Sequence, residues 1–88
     1  VGQTEKDLEY VVDGRELGRR IRWLRLEDNL TLVQLEERCG VPRSTISRIE
    51  RGGWPMTDDL IALCEAFGLT PNDLLAFSPS RVWLNPAA

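Results

Sequence analysis

Histidine is absent from these 88 residues, and cysteine occurs only twice. That combination argues against a zinc site, which draws its ligands chiefly from those two residue types. It also removes the commonest general base. No nucleophile stands beside an evident base, and no phosphate-binding loop is present, so neither an enzyme nor a cofactor is expected. No run is long and apolar enough to span a membrane, and no secretory signal is visible. Internal repeats and low-complexity segments are lacking too. The length suits one small domain with a modest core. Cys39 and Cys64 fall on apolar helix faces, the pattern of reduced core thiols in a cytosolic protein rather than of a disulfide.

Positive charge is also in short supply, with a formal net charge of −3. Its distribution says more than its sum. Between Arg38 and Arg51 there are four arginines and one acid, Glu50, whereas the first thirteen residues hold Glu5, Asp7, Glu9 and Asp13 against Lys6 alone. Any affinity for a polyanion is therefore local to one stretch, and its non-specific part is expected to be weak.

That stretch runs from residue 30 to residue 52, LTLVQLEERCGVPRSTISRIERG. Leu32, Leu35 and Cys39 recur at three- and four-residue steps, which predicts a helix with Thr31 as its N-cap. Gly40 interrupts the pattern where a left-handed backbone costs little. Pro42 suits a helix start, and a second helix is predicted over residues 42 to 51. At about 100° per residue, Arg43, Ser44, Ser47, Arg48 and Arg51 share less than half of its circumference, while Ile46 and Ile49 point the other way. Guanidinium forks and hydroxyls on one face, with no acid among them, can match base edges in a DNA major groove.

These residues resemble the Cro/C1-type helix-turn-helix family, also called the XRE or lambda-repressor-like family. The resemblance covers roughly residues 17 to 77, and the glycine, the Ile pair and the Arg-Glu-Arg-Gly ending all fall in register. It implies an all-α fold, a five-helix lambda-repressor-like DNA-binding domain, with residues 42 to 51 as the recognition helix. It also implies that Arg25, late in helix 1, pairs with Glu50, which would need a partner if buried. The expected organisation is an N-terminal arm at residues 1–13, the helix-turn-helix domain at 14–77 and a C-terminal arm at 78–88.

The remaining elements are read from caps and periodicity. Thr4 and Asp7 could cap a short helix in the first arm, but Leu8, Tyr10 and Val12 alternate, which favours an extended arm or short strand. Asp13 with Glu16 forms a capping-box pattern opening helix 1, residues 14 to about 28, with Leu17, Ile21 and Leu24 on its core face. Gly52, Gly53, Trp54 and Pro55 form a turn. Thr57 is expected to cap helix 4, with Asp58 and Asp59 in its first turn, Leu60, Leu63, Cys64 and Phe67 inward, and Gly68 at its end. Thr70 to Asp73 opens helix 5, with Pro71 first and Leu74, Leu75 and Phe77 on its apolar side. Beyond a break at Ser78, Pro79 and Ser80, Val82, Trp83 and Leu84 could form a short strand.

Three features depart from the family pattern. Leu32 stands where relatives commonly carry a phosphate-contacting glutamine. Glu36 replaces a small residue facing the recognition helix; it must reach Arg43 or Arg48, or bend out to solvent. Trp23 and Leu26 lie one turn apart, off the core face of helix 1, and large apolar pairs of that kind more often mark a contact. With Val82, Trp83 and Leu84 they are the candidate interface residues.

The resemblance implies a cytoplasmic bacterial or phage-encoded regulator that reads double-stranded DNA, most simply as a homodimeric repressor of the phage, antitoxin or restriction-modification controller type. Arg43, Ser44 and Arg48 are the candidate base readers; Thr45, Ser47, Arg51 and Trp54 are the candidate DNA-backbone contacts. A toxin, anti-repressor or polymerase could be a protein partner. The alternative is a protein-interaction module on the same fold with weak or no DNA binding, supported by the acidity, by Glu36 and by the Trp23/Leu26 pair.

Overall fold

The structure is a computed structural model that describes residues 13–75. Among the described residues the elements are five helices: α1 (Gly14–Glu27), α2 (Leu32–Cys39), α3 (Arg43–Glu50), α4 (Thr57–Ala66) and α5 (Pro71–Leu75). The expected strands around Leu8, Tyr10 and Val12 and around Val82, Trp83 and Leu84 lie outside the described residues, as does Phe77.

Each helix start has a local cause. Asp13 has extended backbone, and its Oδ1 accepts from the Glu16 N–H at 2.8 Å, which satisfies one of the open donors of α1. The Glu16 carboxylate does not return the bond as a capping box would. It accepts instead from Arg19 Nη1 at 2.8 Å and Arg20 Nε at 3.1 Å. A full capping box opens α2: Thr31 Oγ1 accepts from the Gln34 N–H at 3.1 Å, and Gln34 Oε1 accepts from the Thr31 N–H at 2.8 Å. Gly40, at φ 82°, ends α2 in the left-handed region, and Pro42, at φ −58°, stands at the cap of α3. Helix α4 starts one residue earlier than its sequence suggests. Its first backbone bond, from the Leu60 N–H, closes on the Met56 carbonyl at 2.9 Å, so Met56 takes the cap position and Thr57 is already helical. Met56 offers no side-chain oxygen, and Asp58 and Asp59 supply the negative charge that suits this end.

Thr70 and Asp73 form the reciprocal pair that opens α5. The Thr70 N–H donates to Asp73 Oδ2 at 3.0 Å and the Asp73 N–H donates to Thr70 Oγ1 at 3.1 Å. The Thr70 backbone N–H, then its hydroxyl, hold the Asp73 carboxyl below the usual aspartate range. A carboxyl depressed in the folded state stabilises it fully above the unfolded value of about 3.9, and that contribution fades as pH falls through the lower folded value. Asp73→Asn is therefore expected to be less stable than the parent at pH 6, with the gap closing in denaturant melts as pH falls below the ordinary aspartate range. A gap that stays constant would mean the cap works without its charge.

The core draws on every helix: Leu17 and Ile21 from α1, Leu35 from α2, Val41 from the turn, Ile46 and Ile49 from α3, Leu63 and Cys64 from α4, and Leu74 from α5, all at most 2% exposed. Leu24, Leu32, Leu60 and Phe67 pack against them at partial burial. Both cysteines are free thiols, and burial, with Asp73 and Glu65 adding to it, pushes the Cys64 thiol up from its usual range. Cys39 is half-buried, with Sγ accepting from the Val41 N–H at 3.4 Å.

Two polar features tie the helices together. Arg20 is buried on α1, where its Nη1 donates to the Leu74 carbonyl of α5 at 2.6 Å, an open acceptor at the end of that short helix. Gly18 lets α1 lie against the end of α3: a Cβ there would stand 2.3 Å from the Ile49 carbonyl oxygen and 2.8 Å from that of Glu50. Every buried side-chain nitrogen and oxygen among the described residues has a hydrogen-bond partner.

Candidate nucleic-acid interface

Helix α3 is seated by Ile46 and Ile49, both fully buried, and turns its opposite face outward. Arg43, Ser44, Arg48 and Arg51 are exposed there, while Thr45 and Ser47 are half-buried at its edges. Pro42 donates no N–H, and no side chain caps the helix. This end of α3 therefore presents open backbone donors beside Arg43.

The seat is locked by a buried ion pair. Arg25 Nε donates to Glu50 Oε2 at 2.7 Å and Arg25 Nη2 to Glu50 Oε1 at 2.9 Å, a two-pronged geometry with side chains 10% and 5% exposed. The third nitrogen, Nη1, donates to the Leu30 carbonyl at 2.9 Å and so fixes the loop before α2. One guanidinium thus joins α1, the entry to α2 and the end of α3. The Glu50 carboxylate holds the Arg25 proton more tightly than usual, and this outweighs the opposing effect of burial. Arg22, largely exposed, brings a second positive charge to within 3.9 Å of Glu50.

Two of the candidate base readers have intramolecular partners. Arg43 Nε lies 3.2 Å from Glu36 Oε1 on α2. Of the routes open to Glu36, the structure therefore takes the one towards Arg43. Arg48 folds over the turn that follows α3: its Nη1 donates to the Trp54 carbonyl at 3.3 Å, and its own carbonyl accepts from the Gly53 N–H at 2.9 Å. A Cβ at Gly53 would meet the Arg48 guanidinium at 2.5 Å, so glycine is what lets the side chain cross there. Ser44 and Arg51 remain outward, and Trp54 is 48% exposed beside the same turn.

Arg25 from α1 and Trp54 from the following turn are thus gathered around Arg43, Arg48 and Glu50 of α3. On α1, Trp23 is half-buried and Leu26 is 50% exposed, whereas Val82, Trp83 and Leu84 lie outside the described residues. Arg20, Gly18 and the loop contact of Arg48 carried no assignment from sequence. Two glycines four residues apart, Gly14 and Gly18, inside an otherwise strong helix pattern were the available signal for the close approach. Among the described residues no group of three or more Cys, Asp or Glu could hold a metal ion, and no helix is long and apolar enough to cross a membrane.

A family model described as a helix-turn-helix domain matches residues 16–77. Among solved structures, the chain is similar to the restriction-modification controller protein C.AhdI from Aeromonas hydrophila, with a TM-score of 0.64 and 27% identity over 69% of this chain and 94% of that one. It is also similar to the clp gene regulator ClgR from Corynebacterium glutamicum, with a TM-score of 0.62 and 29% identity over 69% of this chain and 66% of that one. A second ClgR structure gives a TM-score of 0.60 at 29% identity, over 69% of this chain and 80% of that one. No curated protein sequence matches.

Proposed function

This chain belongs to the helix-turn-helix family, and from that premise we propose that it is a sequence-specific DNA-binding transcription regulator acting as a dimeric repressor. The observation that carries the proposal is α3 itself: a helix anchored by buried Ile46 and Ile49 that turns arginines and serines, and no acid of its own, to the outside. The solved relatives are a restriction-modification controller and a gene regulator, which supports transcriptional control. Two copies of α3 would enter successive major grooves about one helical turn apart, and occupation of a promoter would block it. Arg43, Ser44 and Arg48 are the proposed base readers. Thr45, Ser47, Arg51 and Trp54 are proposed to track phosphate and sugar.

Selection of bound sequences from a random duplex library tests this reading. A palindromic site should be enriched. On that site, Arg43→Ala should cost about 1–3 kcal/mol of binding and relax preference at one base position per half-site. Equal loss on all sequences would make Arg43 a phosphate contact. The rival reading, a protein-interaction module on this fold, draws on the Glu36–Arg43 pair and on exposed Leu26. No detectable binding to random duplex even at low salt would favour it, whereas the DNA-binding reading predicts weak binding that falls steeply with salt.

A further inference from the structure

Glu36 projects from α2 towards the outer face of α3, an acid placed where the chain would meet polyanionic DNA. Its side chain is 35% exposed, and that of Arg43 is 61% exposed. A negative charge in that position costs affinity for any phosphate it approaches. The geometry shows what it does in return. The 3.2 Å contact is to Nε, the stem side of the guanidinium. The two terminal nitrogens carry four of the five N–H donors. Among the described residues neither donates a hydrogen bond, and they form the end-on fork that guanine O6 and N7 accept.

Two consequences follow from a carboxylate held at that atom. A free arginine side chain loses about 2 kcal/mol of rotamer entropy when ordered, and a side chain already tethered at its stem has less to lose. The second consequence is electrostatic. A lone guanidinium binds any phosphate, and that sequence-independent attraction is the source of non-specific affinity. Paired with Glu36, Arg43 carries little net charge towards a phosphate, yet its directional bonds to a base edge are intact. The pairing therefore weakens sequence-independent binding while preserving binding to the right base.

We propose that Glu36 is a positioning residue for Arg43, holding Nε so that the terminal nitrogens read a guanine, and that it raises specificity by suppressing the use of Arg43 as a phosphate contact. The proposal rests on the DNA-binding reading above.

The test uses the full chain and its E36Q variant, which keeps the side-chain shape and removes the charge, with E36A as a second variant and R43A as the reference. Each is taken through the random-duplex selection, then titrated with the selected site and with random duplex across a salt series. E36Q should bind random duplex about three- to tenfold more tightly than the parent, with a log–log salt slope steeper by about one, while affinity for the selected site changes by no more than about twofold. The base position at which E36Q loses preference should be the one that R43A loses, and E36Q should have no further effect on specificity in the R43A background. A merely structural role for Glu36 would move none of these readouts. If E36Q and E36A bind both DNAs more tightly by the same factor, with base preference unchanged, Glu36 only sequesters Arg43 and the inference fails alone. If the parent chain enriches no sequence, the DNA-binding reading fails and this inference falls with it.

Discussion

Glu50→Ala is expected to lower the unfolding free energy by about 3–5 kcal/mol, the scale on which a buried charge left without its partner destabilises a fold. A domain of this size has on the order of 5–10 kcal/mol in total, so the variant should lose a large part of its stability. The argument rests on burial and geometry. Both side chains are at most 10% exposed and meet through two bonds of 2.7 and 2.9 Å. Alanine would leave the Arg25 guanidinium in place, desolvated and without its carboxylate. Arg22 is at 3.9 Å from Glu50 and is itself a cation, so it offers Arg25 no relief. Arg25→Ala should also destabilise, because it leaves Glu50 only the largely exposed Arg22 at 3.9 Å and frees the Leu30 carbonyl. Denaturant melts followed by helical circular dichroism measure all three variants. The double alanine variant should lose less than the sum of the two singles. Additive losses would mean that the pair contributes nothing as a pair.

Gly18→Ala is the second substitution with a large expected effect, and its sign runs against helix propensity. In an open helix the change would stabilise by about 0.8–1.0 kcal/mol. At this position the new Cβ would stand 2.3 Å from the Ile49 carbonyl oxygen and 2.8 Å from that of Glu50. Both are backbone atoms at the end of α3, so no rotamer change relieves the contact and α3 must move away from α1. Overpacking of this kind costs about 1–3 kcal/mol in a well-packed core, and here it is met by rigid backbone. Set against the gain in helix propensity, a net loss of up to about 2 kcal/mol is expected in the same melts. The shift would also carry Glu50 away from Arg25 and re-aim the outer face of α3, so DNA affinity should fall along with stability. A Gly18→Ala chain as stable as the parent would mean that α1 and α3 part at little cost.

What could be read from the chain alone was whatever depends on residues within a turn of one another. Thr31 capping α2, the left-handed Gly40, the inward Ile46 and Ile49 and the Thr70–Asp73 opening of α5 are all of this kind. They follow from periodicity and from short-range bonds that the local sequence closes by itself. The reading of α4 missed by one residue for a related reason. Which residue is the last extended one depends on how the turn through Pro55 packs, and Pro55 is buried. Glu16 was legible as an acid that could complete a box. Its carboxylate instead meets Arg19 and Arg20, and Arg20 is held in turn by a carbonyl 54 residues further along the chain. No local pattern encodes that distance.

The chemistry of the outer face was decided in the same long-range way. The sequence narrowed Glu36 to Arg43, Arg48 or solvent. The crossing of α2 and α3 selected Arg43, while the turn through Gly53 drew Arg48 to the Trp54 carbonyl. Gly18 was visible as a glycine in a helix, but the carbonyls that require it belong to Ile49 and Glu50. Residue types, caps and faces are properties of short segments and can be read from composition and spacing. Which charge neutralises which, and how near two backbones come, depend on how separate helices pack, and only the tertiary structure contains that.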